Sequence, residues 1–168
     1  MRVVSVNVNG LRSAERKGFF EWLEQSQADV VCVQEIRIQA HQMELAHQPA
    51  GWFHHFFPAQ KAGYAGTAIY SRQQPDAIQQ GLGFELCDNE GRYLAAQFGD
   101  LTIASLYLPS GSSSPEAQAK KDDFLGQFLP LLRQWRSEQQ SMIICGDWNI
   151  AHQEIDLKNW KGNLKNSG

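Results

Sequence analysis

The sequence has few cysteines and no long apolar run. Its three cysteines, Cys32, Cys87 and Cys145, form no CxxC pair, which favours buried free thiols over a metal or redox role. No apolar stretch reaches the ~20 residues that a membrane helix needs, and the N-terminus lacks a signal-peptide pattern. We therefore expect a soluble cytoplasmic protein that does not act at a membrane.

An excess of positive charge is also absent. Lys and Arg number 15 against 18 Asp and Glu, for a net charge of −3, whereas general nucleic-acid binders usually carry a basic excess. A nucleic-acid function would need local basic patches or a bound metal. Hydrophobic residues at 42% and charged residues at 20% are typical of a folded chain, and the length suits one domain over residues 1–168.

The N-terminal part has the pattern of a β-α-β unit. Residues 2–8 and 29–34 are rich in β-branched residues and predict strands, and apolar residues at helical spacing predict a helix over 14–25. Continuous apolar strands flanked by helices favour the α/β class. Later strands are predicted at 66–70, 93–98, 101–108 and 141–145, and a helix at 115–140 with a kink at Pro130.

Polar residues follow three of these strands where each strand ends. They are Asn7 and Asn9 after the first, Glu35 after the second, and Asp147 and Asn149 after the last. Sites in open α/β sheets form at the carboxyl ends of strands. Because Mg²⁺ binds one or two carboxylates and keeps several waters, Glu35 and Asp147 could serve such an ion.

The segment that contains Asp147 also suggests a catalytic role. On an extended segment Asp147 and Asn149 would point the same way, so the carboxylate could act as a general base while the amide holds a phosphate. Tyr107, at the end of another strand, could donate from its phenol. Structural roles stay open: Glu35 as a cap, Asp147 in a turn, and Tyr107 as an amphipathic core residue.

Several motifs together resemble the exonuclease III class of abasic-site endonucleases. The resemblance follows the whole chain in order, and several spaced motifs are far more specific than any one alone. The matching segments are Ser5-Val6-Asn7-Val8-Asn9-Gly10-Leu11-Arg12, Val33-Gln34-Glu35, Tyr107-Leu108-Pro109, Gly146-Asp147-Trp148-Asn149 and His152-Gln153-Glu154-Ile155-Asp156-Leu157-Lys158-Asn159.

The resemblance implies a Mg²⁺-dependent phosphodiesterase, with Mn²⁺ as an alternative ion. Such an enzyme cuts duplex DNA 5′ to abasic sites, often trims 3′ ends, and is expected to be a monomer. By similarity Glu35 binds the metal with support from Asn7, Asp147 positions or deprotonates the attacking water, Asn149 holds the scissile phosphate, and Tyr107 contacts that phosphate or the leaving oxygen.

The resemblance also implies residues that bind the DNA substrate. These are Asn9, Arg92, Lys121, Asn159, Asn163 and Asn166. Other basic residues are candidate contacts to the DNA backbone, although a solvated charge is the more ordinary role for each of them: Arg12, Arg16, Lys17, Arg37, Lys61, Arg72, Lys120, Lys158, Lys161 and Lys165.

The implied fold is a four-layered α/β sandwich of the endonuclease/exonuclease/phosphatase type, built from two similar halves. Relatives continue beyond the region of Gly168 to a second catalytic aspartate and an Asp-His pair. We therefore expect the 168 residues to cover roughly the N-terminal two-thirds of a nuclease domain. Ser110 stands where many relatives carry an amide, and all five histidines are expected on the surface or in loops.

Two alternative functions fit the same scaffold. One is a non-catalytic, RNA-associated regulator of the catabolite-repression control type, whose members tend to lose the acidic positions, whereas Glu35 and Asp147 are both present here. The other is a phosphatase or related hydrolase. The segment 154–159 resembles the repair branch specifically and favours the nuclease.

Overall fold

The chain forms two four-stranded β-sheets that pack face to face in a computed structural model, which describes residues 1–163. The first sheet has the strand order β1-β2-β4-β3 and the second β5-β6-β7-β8. The strands are β1 (Val3–Asn7), β2 (Val30–Gln34), β3 (Phe53–Phe57), β4 (Thr67–Ser71), β5 (Ala77–Gln80), β6 (Tyr93–Phe98), β7 (Leu101–Tyr107) and β8 (Ser141–Asp147).

Helices cover the outer face of each sheet. They are α1 (Leu11–Glu15), α2 (Phe19–Gln25), α3 (Glu85–Asp88), α4 (Pro115–Ser137) and α5 (Trp160–Asn163), with short 3₁₀ helices at Ala40–Gln42, Leu45–His47 and Glu154–Asp156. The apolar sides of α1 and α2 pack on the first sheet, and that of α4 packs on the second. The result is the four-layered sandwich that the resemblance implied.

Three apolar clusters hold the layers together. Between the sheets, Cys32 and Ile69 of the first pack against Leu94 and Ile103 of the second, all with no exposed surface. Burial of such side chains contributes about 1.5–3 kcal/mol each. The packing of one sheet on the other therefore rests mainly on apolar side chains.

The two sheets repeat one pairing pattern. In the first, edge strand β1 pairs parallel with β2, and β4 and β3 follow antiparallel. In the second, edge strand β8 pairs parallel with β7, and β6 and β5 follow antiparallel. The carboxyl ends of β1, β2, β7 and β8 carry the candidate site residues, so that site draws on both sheets.

Several element boundaries differ from the sequence prediction. The helix predicted over 14–25 is two helices, because Gly18 between them has a left-handed φ of 83°. Strands β3 and β5 were not predicted. Helix α4 continues through Pro130, and β8 extends two residues further than predicted, to Asp147.

The cysteines and histidines follow their predictions only in part. Cys32 and Cys87 are buried free thiols and Cys145 is half-buried; a hydrogen bond with Cys32 lowers the pKa of Cys145 to about 7. His41 and His152 are exposed. His47 is buried at 1% exposure beside Glu15, and His54 and His55 are half-buried in β3, so the predicted surface or loop position is wrong for these three. Within residues 1–163, every helix is too short or too polar to cross a membrane.

Candidate active site

The ends of β1 and β8 meet through one hydrogen bond between side chains. The Asn7 amide donates to Oδ2 of Asp147 at 2.8 Å, although the two residues are 140 positions apart. The Asn7 carbonyl accepts the backbone N–H of Asn9 at 2.9 Å. Asn7 thus links the edge strands of the two sheets and also fixes the turn that follows β1.

Asp147 is held at both carboxylate oxygens. Its Oδ1 accepts the backbone N–H of Asn149 at 2.9 Å, while Oδ2 accepts from Asn7. The Asn149 side chain donates to the Leu108 carbonyl at 2.8 Å. The Asp147 carboxylate therefore has a fixed direction at the strand end, as a group that must orient a reacting water requires.

The segment after β8 turns rather than staying extended. Asn149 has a left-handed φ of 49°, so the prediction that Asp147 and Asn149 share an extended segment is wrong. Just before them, Gly146 lies so close to the neighbouring strand β7 that a Cβ there would overlap the Leu106 carbonyl. A glycine at this position lets β8 run flat against β7 up to Asp147.

Glu35 and Tyr107 lie together at the ends of β2 and β7. Burial raises the pKa of Tyr107 well above its ordinary value, and the charge of the Glu35 carboxylate and a hydrogen bond to it act in the same direction. The Tyr107 phenol is therefore protonated at neutral pH and can donate. Glu35 itself is 9% exposed.

Glu35 also pairs with Arg37, a contact that the sequence reasoning missed. Nε of Arg37 donates to Oε1 of Glu35 at 2.9 Å, and Nη2 contacts the same oxygen. Sequence analysis had placed Arg37 only among possible DNA contacts. Both residues have positive φ, 60° for Glu35 and 48° for Arg37, and this tight turn brings the two side chains together.

Gln34, by contrast, points into the sandwich. It is 1% exposed, and its amide donates to the Ser105 hydroxyl at 2.9 Å. That hydroxyl in turn donates to the Val33 carbonyl at 2.9 Å. Gln34 therefore joins the two sheets in their interior, next to the site.

Arg92 and Lys121, named from the resemblance as DNA contacts, are both buried, at 2% and 3% exposure. Arg92 donates to Glu90 at 2.6 Å, to the Tyr107 carbonyl at 2.7 Å and to the Tyr64 hydroxyl at 3.0 Å. Lys121 donates to the Asn149 carbonyl at 2.7 Å. Tyr64 was not identified from the sequence, where an isolated loop tyrosine carries no signal.

Two of the three asparagines predicted to contact DNA in the C-terminal segment lie within the described residues. The Asn159 side chain accepts the Gly162 backbone N–H at 3.4 Å, and its carbonyl accepts from the Asn163 side-chain amide at 2.9 Å. Asn163 lines a cavity of about 290 Å³ together with Asn149 and Ser110. Asn166 lies outside the described residues.

The donor set fits a hard divalent cation with few protein ligands. Glu35 offers a nearly buried carboxylate, and Asn7 offers an amide oxygen on the neighbouring strand, where it pairs with Gln34. In residues 1–163 no three His, Cys, Asp or Glu side chains cluster in a way that could hold a metal. Oxygen ligands of this kind are the type that hard divalent cations bind.

Comparison with known proteins identifies the family. The chain belongs to the Endonuclease/Exonuclease/phosphatase family, whose model matches residues 4–167. It is 38% identical over 172 residues to an exodeoxyribonuclease of Bacillus subtilis, covering 100% of this chain and 66% of that protein.

Two further relatives agree with this family. A DNA-(apurinic or apyrimidinic site) endonuclease of Dictyostelium discoideum is 35% identical, across 100% of this chain and 47% of that protein. The structure of an AP endonuclease from Archaeoglobus fulgidus superposes with a TM-score of 0.83 at 26% identity, covering 99% of this chain and 64% of that one. The chain thus spans about half to two thirds of the length of these relatives.

Proposed function

We propose that this chain belongs to a metal-dependent phosphodiesterase of DNA repair that cuts the backbone 5′ to abasic sites and trims 3′ ends. The observation that carries the proposal is the 2.8 Å hydrogen bond between Asn7 and Asp147, which assembles one polar site from the strand ends of two sheets. The names of the relatives, an exodeoxyribonuclease and an apurinic-site endonuclease, support DNA as the substrate.

In this proposal Glu35 and Asn7 hold Mg²⁺ or Mn²⁺. When bound, the ion neutralises charge on the scissile phosphate and polarises it. Arg37 shares the Glu35 carboxylate through Oε1, so a bound cation would compete with the guanidinium for that oxygen.

Asp147, Asn149 and Tyr107 act on the reacting atoms. Asp147 accepts the proton of the attacking water. Both of its carboxylate oxygens are oriented by hydrogen-bond donors, and the residue stands at the end of β8, where the site lies. The Asn149 side-chain amide breaks its hydrogen bond to the Leu108 carbonyl and donates to the phosphate instead. The protonated Tyr107 phenol donates to a phosphate or leaving oxygen as negative charge develops.

Asn9, Asn159, Asn163 and Asn166 are the proposed contacts to the DNA around the lesion. Asn9 is exposed directly after β1, and Asn163 lines the cavity beside Asn149. Uncharged amides suit this role because they donate to phosphate or to base edges without bringing a second buried charge.

The test is cleavage of a labelled duplex with one central abasic site by the intact protein that carries this sequence. We expect a single product cut 5′ to the lesion with Mg²⁺, and no product with EDTA. Asp147→Asn and Glu35→Gln should each reduce the rate by about 10²-fold or more.

The matched control is Asp100→Asn, an exposed carboxylate in the turn between β6 and β7. This variant should cleave at the wild-type rate. An uncut duplex under all metal conditions would overturn the proposal, and binding without cleavage would favour the regulatory alternative. Equal rates for Asp147→Asn and wild type would overturn the assignment of Asp147.

A further inference from the structure

Lys121 is a buried lysine in the first half of α4. Its side chain is 3% exposed, and Nζ lies 2.7 Å from the Asn149 carbonyl oxygen, to which it donates. Burial lowers the pKa of Lys121, while Asp122 and Asp147 act in the opposite direction. A buried ammonium is costly unless it is paired, and the Asp147–Asn149 turn supplies its partners.

The turn that Lys121 contacts adopts a backbone conformation that asparagine only tolerates. Asn149 has a φ of 49°, which costs free energy unless its surroundings fix it. Three hydrogen bonds do so, from its backbone N–H to Asp147, from its amide to Leu108, and from Lys121 to its carbonyl. Only the third comes from a different layer of the fold, since α4 covers the outer face of the second sheet.

The position of the Lys121 ammonium argues against a contact with DNA phosphate. A lysine that contacts DNA phosphate must place its charge at the surface, where it releases counterions on binding. The Lys121 ammonium is instead buried by the surrounding protein and donates to the Asn149 carbonyl. The neighbouring Lys120 is half-buried and pairs with Glu90 at 2.5 Å, so the two adjacent lysines have separate surroundings.

We propose that Lys121 is a positioning residue that fixes the Asp147–Asn149 turn, and is not a contact to DNA. The inference rests on the proposed function for its catalytic consequence. Loss of the ammonium leaves the Asn149 carbonyl without its donor and frees the turn to leave its left-handed conformation. The Asp147 carboxylate then loses the backbone donor that orients Oδ1.

The experiment compares Lys121→Met, which keeps most of the aliphatic stem, with Lys121→Arg, which keeps the charge and donors. For Lys121→Met we expect kcat on the abasic duplex to fall about tenfold or more, with KM and the salt dependence of DNA binding unchanged. Lys121→Arg should recover most of kcat. Arg133→Met, an exposed cation on the same helix, is the matched control and should behave as wild type.

A phosphate contact would give a different result. It would raise KM and lower the slope of log K against log salt by about one, and this outcome would overturn the proposal. Equal kcat for Lys121→Met and wild type would overturn it as well.

A second measurement does not depend on cleavage. In hydrogen-exchange measurements the backbone N–H of Asn149 should exchange about tenfold faster in Lys121→Met than in wild type. The backbone N–H of Ile103 in β7 should exchange at the same rate in both. If the wild type cuts no abasic duplex, the proposed function fails, and the exchange rate still decides the role of Lys121. Unchanged exchange at Asn149 would overturn the inference in either case.

Discussion

Individual residues at the candidate site adopt backbone conformations that side chains disfavour. Six non-glycine residues within 1–163 have positive φ, and four of them, Asn9, Glu35, Arg37 and Asn149, belong to the site. Such conformations persist where surrounding contacts fix them, and they concentrate at functional positions. The residue types at the strand ends were predictable from the sequence, whereas these turn conformations depend on contacts with distant residues.

Arg92 illustrates the same limit. The resemblance implied a contact to DNA for Arg92, but the residue is 2% exposed, and its guanidinium lies 5.0 Å from the centroid of the Tyr107 ring. Its hydrogen bonds reach Glu90, Tyr64 and the Tyr107 carbonyl. No local pattern announces such burial, because two of these partners lie 15 or more positions away.

Arg92→Met should destabilise the protein. The change leaves the Tyr107 carbonyl without its donor and Glu90 with Lys120 alone, so we expect the free energy of unfolding to fall by about 2–4 kcal/mol. Urea denaturation measures the effect. Arg16→Met, at an exposed arginine in the loop after α1, should stay within about 0.5 kcal/mol of wild type. An equal loss in both variants would contradict the role assigned to the buried guanidinium.

At the scale of elements, prediction succeeded where a strand is buried on both faces. All five residues of β2 are buried, and its continuous apolar run marked it clearly. β3, with sequence FHHFF, and β5, with AIQQ, are edge strands, where partial exposure permits polar and aromatic residues without clear alternation. Pairing with β4 and β6 makes them strands, and that pairing is not encoded locally.

Helix α4 begins with a side-chain cap that can be tested. The Ser114 hydroxyl accepts the backbone N–H of Ala117 at 3.2 Å, and Pro115 follows at the first helical position. Ser114→Ala should lower the free energy of unfolding by about 1 kcal/mol, because one N-terminal N–H loses its acceptor. Thermal or urea denaturation measures this change. The adjacent exposed Ser113 supplies the control Ser113→Ala, and an equal effect there would show that the cap is unimportant.

At the scale of the whole molecule, the packing between the sheets determines whether the site exists. The sequence predicted that Asn7, Glu35 and Asp147 lie near one another at strand ends. The sequence could not indicate that these residues come from two sheets. Hydrophobic periodicity shows which face of a strand is buried, but it does not show which layer of the fold packs against that face. The resemblance to a known family supplied that information.

A buried isoleucine and an exposed one form a matched pair for this packing. Ile103 lies between the sheets with 0% exposure, whereas Ile155 is 88% exposed. Ile103→Ala should lower the free energy of unfolding by about 2–5 kcal/mol through lost burial and a cavity, and Ile155→Ala by less than about 0.5 kcal/mol. Denaturation curves of the two variants measure the difference, and similar losses would contradict the proposed core.

The hydrogen bond between Asn7 and Asp147 determines when the site can form during translation. The two residues are 140 positions apart, and at about 5–20 residues per second a ribosome needs roughly 7 to 28 s to pass from one to the other. Throughout that interval the nascent chain contains Asn7 but not yet Asp147, to which its side chain will donate. The site can therefore assemble only after both of these strands have been translated.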